Sequence, residues 1–79
     1  MQTLIPYQVP QRSKVELKIC NIAGQLVRRL VGEVVEKAGR YTARWDGRDE
    51  TGQVVESGVH LFRMSAGGFV HTRRLALIK

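Results

Sequence analysis

Turn residues break this chain every ten or so positions, and no interval between breaks is long enough for an independent helix. Asn21 to Gly24, Gly32, Lys37 to Arg40, Asp46 to Gly58 and Gly67-Gly68 are the punctuation. Asparagine and glycine tolerate the backbone angles a reversal needs, so each cluster reads as a turn. Between them the apolar residues fall with period two. Val15, Leu17 and Ile19 alternate with Lys14, Glu16 and Lys18, which predicts a half-buried strand. Leu26, Val27, Leu30 and Val31 are spaced so that a short helix also fits. Seven residues between Gly24 and Gly32 are too few to sustain one alone, so a strand is expected there.

Later segments repeat the pattern. Tyr41, Ala43 and Trp45 share one face, with Thr42 and Arg44 on the other; His60, Phe62 and Met64 alternate with Leu61, Arg63 and Ser65. Gly67-Gly68 is the signal of a two-residue hairpin. The last strand, Phe69 to Ile78, ends in Leu75, Ala76, Leu77 and Ile78, a run that predicts cover on both faces. At the front, residues 1–14 form a lead-in with an edge strand from Leu4 to Val9, because Pro6 and Pro10 exclude a central position. Six or seven short strands without a helix predict an all-β fold, an immunoglobulin/fibronectin-III-like β-sandwich.

Seventy-nine residues make one domain. A chain of this size buries about 60% of the surface its unfolded form exposes, so its stability is modest. The single cysteine, Cys20, allows no internal disulfide. Cys20 is expected at an outward or edge position, and His60 where a core aromatic belongs. No apolar run approaches the ~18 residues of a membrane span, and the start, Met1 to Tyr7, lacks the pattern of a signal peptide.

The net charge of +6 raises a polyanion as partner, but the thirteen basic residues are scattered and no run exceeds a pair. A solvated cationic sheet face is the favoured reading, and no nucleic-acid partner is expected. Modules that read nucleic acid on a sheet interleave aromatic with basic residues on one face. Here most aromatics fall on apparent core faces, Trp45 among them; as a core residue it is favoured over a sugar-stacking platform.

Asp46, Asp49 and Glu50, with Gly47 and Gly52, could supply oxygens to calcium. Arg48 in their midst and the departure from known calcium-loop spacing favour a capped turn instead, with aspartate oxygens accepting backbone N–H bonds. One cysteine and two histidines, His60 and His71, are too few for zinc and sit in no catalytic motif. No enzyme activity and no cofactor are expected. Function is expected on surfaces and edge strands, foremost the last strand from Arg73 to Lys79, with Arg73, Arg74 and Lys79 as contact residues, and the loop from Asp46 to Gly52.

The stretch from Val15 to Leu30, with Asn21, Gly24, Val27 and Leu30 in their spacing, resembles the Ig-like domain of flagellar hook-capping proteins of the FlgD type. The central segment Ala38-Gly-Arg-Tyr-Thr-Ala-Arg-Trp-Asp-Gly-Arg-Asp49, followed by Gly52, Val55 and Ser57-Gly58-Val59, resembles it most specifically. The ending, Gly67 to Lys79, is similar to the family's final strand. Asn21 and His60 stand where the family often has Asp or an aromatic. The same module is similar to the C-terminal sorting domains of type IX secretion cargo. The resemblance implies a non-catalytic C-terminal module of a larger exported bacterial protein, secreted or at the cell surface. Its partners would be the secretion machinery, or cell-surface or flagellar neighbours in a hook-cap-like assembly. A cationic module for glycans or polyanions is the reading from a different class.

Overall fold

The structure, a computed structural model, describes residues 2–78. It is all-β, with six strands in chain order: β1 Thr3–Val9, β2 Ser13–Cys20, β3 Leu26–Glu36, β4 Gly39–Trp45, β5 Gly58–Ala66 and β6 Phe69–Leu77. They form two antiparallel sheets, one of two strands (β1-β4) and one of four in the order β3-β2-β5-β6. The inner faces of the two sheets meet in a sandwich core.

Alternation decides what reaches that core. Val15, Leu17 and Ile19 on β2 and Phe62 on β5 are fully buried; Ile5 and Val9 from β1 and Ala43 and Trp45 from β4 close over them. Burial of this kind contributes about 25 cal/mol per Å² of apolar area, the dominant favourable term in a domain without a disulfide. His60 takes the core aromatic's position expected of it. It is buried, with its ring edge-on to Trp45 at 5.4 Å between centroids.

The turns follow the glycines and asparagine. Asn21 Oδ1 accepts from the amides of Ala23 and Gln25, closing the β2–β3 reversal. Gly67 has φ 60°, a left-handed angle glycine adopts without steric cost, and it opens the two-residue link from β5 to β6. The edge position expected for β1 is also found, since it pairs with β4 alone.

Two expectations are corrected. The strand after Gly24 does not stop at Gly32 but runs on to Glu36. Gly32 lies where the pairing with β2 shifts register, between Val15↔Val34 and Leu17↔Val31. A glycine inside a strand marks such a bulge rather than an end. The run Leu75 to Ile78 is not covered on both faces either. β6 is the edge of the four-stranded sheet, so only its inward residues gain cover: Leu77 is buried and Leu75 half-buried, while Ala76 and Ile78 are exposed.

Candidate interaction surfaces

The loop from Asp46 to Gly58 is built by carboxylates bonded to their own backbone. Asp46 Oδ1 accepts from the Arg48 amide at 3.0 Å and from Arg28 Nη1 at 3.1 Å. Asp49 Oδ1 accepts from the amides of Thr51 and Gln53 and from the Thr51 hydroxyl at 2.6 Å. These bonds, the Thr51 hydroxyl first among them, hold the Asp49 carboxyl below its ordinary pKa. Gly52, at φ 88°, supplies the reversal, and its carbonyl accepts from Arg48 Nη1. Trp45 ties the loop to the core by donating from Nε1 to the Arg48 carbonyl at 3.0 Å.

Glu50 turns toward Arg28 at 3.9 Å. The three weighed calcium ligands are thus engaged as turn caps and ion pairs. Among the described residues no group of three or more His, Cys, Asp or Glu gathers as a metal site.

The contact residues of the last strand separate by parity. Arg74 is exposed on the outer face, opposite Leu61, near the row that holds Arg63. Arg73 turns inward. Its guanidinium lies over the Phe62 ring at 5.4 Å and donates from Nη2 to the Pro6 carbonyl on β1. Its Nε is buried without a partner among the described residues. Lys79 lies outside the described residues. On the outer face Glu16 bridges Lys18 at 3.1 Å and Arg29 at 3.3 Å, so the cationic surface is partly compensated.

Cys20 is not at an exposed position. It points to the outer face, but β2 is a central strand, and Cys20 stands opposite Leu26 on one side and Leu61 on the other. Their flanking leaves the thiol buried. His71 and Phe69 stack in parallel on the inner face of β6, 6.3 Å apart. They border an open cavity of about 720 Å³ between β6 and the two-stranded sheet. Sequence reasoning missed this cavity. The alternation that puts Phe69, His71 and Arg73 on one face was its only available signal.

With the sandwich and the Trp45–Arg48 loop in view, the comparison with known families is decisive. The model of the FlgD Ig-like domain matches residues 4–68. The chain belongs to the FlgD Ig-like domain family. The match contains the whole Asp46–Gly58 loop and ends at the β5–β6 turn. Among solved structures, that of FlgD from P. aeruginosa is similar, with a TM-score of 0.68 and 21% sequence identity over 98% of this chain. That likeness is one of fold. The chain spans 60% of the length of that FlgD chain. Curated proteins give no sequence match.

Proposed function

We propose that this FlgD-type Ig-like domain is a non-catalytic protein-interaction module, working as a structural part of a hook-cap-like assembly at the bacterial cell surface. The observation that carries the reading is the family match together with where the molecule is open. Asp46 and Asp49 cap turns, Glu16 and Glu50 are ion-paired, the thiol is buried, and among the described residues the open features are strand edges and the cavity beside them. Exposed strand edges offer main-chain hydrogen bonds to another chain, which is how sheet proteins bind without a deep pocket. Of the two roles implied by the resemblance, the hook-cap-like one draws support from both the family match and the FlgD fold neighbour. Neither extends to sorting domains of type IX cargo.

The test is photo-crosslinking in the source cell, with a photoreactive residue at Leu4 on β1 or Thr72 on β6. A discrete crosslinked neighbour, competed by excess free domain, is expected. An uncrosslinked, freely diffusing domain at both positions would defeat the interaction reading. A sorting tail predicts something different: deletion of residues 75–79 would leave the parent protein inside the cell while crosslinks at Leu4 and Thr72 stayed absent.

A further inference from the structure

Two strands cannot cover four. Neighbouring strands lie about 4.8 Å apart and packed sheets about 10 Å apart, so at its Phe69–His71 end the inner face of β6 runs out beyond β1 and no described residue covers it. Phe69 there is 45% exposed, and His71 is exposed beside it. The resulting cleft is flanked by two open strand edges, those of β1 and β6. The charged side chains that line it among the described residues are Arg40 and Arg73, both cationic, with His71 beside them and no carboxylate.

The edge of β1 is specific in what it offers. Pro6 has no N–H, and its carbonyl is taken by Arg73, so it stands where backbone groups face away from β4. By alternation Leu4 and Gln8 also direct their N–H and C=O groups to that open side. A strand laid beside β1 would therefore bond at Gln8, which lines the cleft, pass Pro6, reach Leu4 beyond the lining, and lie over Phe69 and His71. Its inward side chains would meet those two rings and the guanidinium of Arg73, whose Nε has no partner among the described residues. A carboxylate at that point satisfies Nε and a terminal nitrogen together, the bidentate geometry in which arginine binds best.

We propose that this cleft receives an extended segment of a protein partner, apolar at alternate positions with one acidic residue among them, which adds to β1 as a third strand. The proposal rests on the protein-interaction reading and gives that reading its location. A second copy of this chain fits worse, because a two-fold pairing of β1 edges brings two Arg73 side chains together and sets a proline in each edge.

The test uses the labelled 79-residue chain and a blocked peptide, acetyl-Thr-Val-Thr-Asp-Thr-Val-Thr-amide, followed by NMR. Shifts are expected at the amides of Leu4, Gln8, Phe69 and His71 and at Arg73 Nε–H. The same peptide with lysine for aspartate should bind about tenfold more weakly, the scale of one charge-assisted hydrogen-bonded pair. Arg73→Met should bring the two peptides together. Should that variant fold poorly, Gln8→Pro keeps every cleft side chain but Gln8 and removes one edge donor; it should weaken the aspartate peptide about tenfold while the spectrum stays folded. Equal binding of the two peptides to the wild-type chain overturns the proposal. So do shifts confined to the outer sheet face or to the Asp46–Gly52 loop, and so does self-association through β1. A crosslinked partner in the cell with no peptide response in the cleft leaves the module reading standing and removes this location. Cleft binding with no crosslinked partner does the reverse.

Discussion

Replacing Trp45 with phenylalanine tests whether the loop and the core are one structure. The indole is 1% exposed, donates to the Arg48 carbonyl at 3.0 Å, and meets the His60 ring edge-on. Phenylalanine keeps an aromatic ring but loses the donor and the second ring. The lost hydrogen bond is worth about 0.5–1.5 kcal/mol. The low end applies, because the Arg48 carbonyl keeps the bond from Arg28 Nη1 at 3.2 Å and is not orphaned. The second ring removes about 40 Å² of buried apolar area, about 1 kcal/mol. The unfilled space adds about 1 kcal/mol more at about 24 cal/mol per Å³. The sum is about 2–3 kcal/mol, from a domain whose whole stability is about 4–12 kcal/mol at 0.05–0.15 kcal/mol per residue. Tm should fall by about 10–20 °C. Trp45 is the only tryptophan, so the variant has no tryptophan fluorescence. Far-UV circular dichroism on urea and heat follows both proteins, with the urea midpoint shifting and the m-value unchanged. Limited trypsin digestion should also show faster cutting at Arg48, since the anchor of the loop is gone. A Tm within 2 °C of wild type would refute the reasoning, and saccharide binding lost in the variant would restore the stacking-platform reading.

Two further outcomes follow from the ionisable groups. Burial, and then the hydrogen bond its hydroxyl donates to Glu36 at 2.9 Å, push the Tyr7 phenol well above its ordinary value of 10.0. A raised pKa means the fold favours the neutral phenol, so this contribution is full below pH 10 and is lost as pH rises beyond it. Urea midpoints should therefore drop above pH 10 in the wild type and less so in Tyr7→Phe; equal alkaline slopes in Tyr7→Phe and wild type would refute it. Asp49 runs the other way. Its lowered pKa gives stability that is present above its ordinary 3.8 and is lost as pH falls through the folded value. Asp49→Ala should lower Tm at pH 7 and flatten the acid limb, while EDTA or millimolar calcium leaves the wild-type Tm where it is. A rise in Tm with calcium would overturn the capped-turn account.

How much of this was legible in the sequence depends on whether a residue's fate is set by its own strand or by the strand beside it. Val15, Leu17 and Ile19 were readable because period two alone sends them inward, and the Asp46–Gly58 loop because aspartate and glycine carry their turn chemistry locally. Gly32 misled because a glycine that bulges and a glycine that ends a strand look alike until the partner's register is known. Cys20 alternates outward as expected, yet Leu26 and Leu61 across the sheet bury it. The sharpest case is Arg73 against Arg74. Parity already placed Arg73 with Phe69, His71, Leu75 and Leu77 on one face, but not which face was inward at that end of the strand. Nor does any pattern within a strand reveal that β1 and β4 stand alone opposite four strands. The cleft exists because of that allocation. On the cleft proposal, the contact residues of this chain are sought where strand order leaves an inner face uncovered, not where basic residues cluster in the chain. On that proposal the expected contact residues Arg73, Arg74 and Lys79 narrow to one anchor, the half-buried Arg73, whose guanidinium is held over Phe62 before any partner arrives and so has less rotamer freedom left to lose on binding.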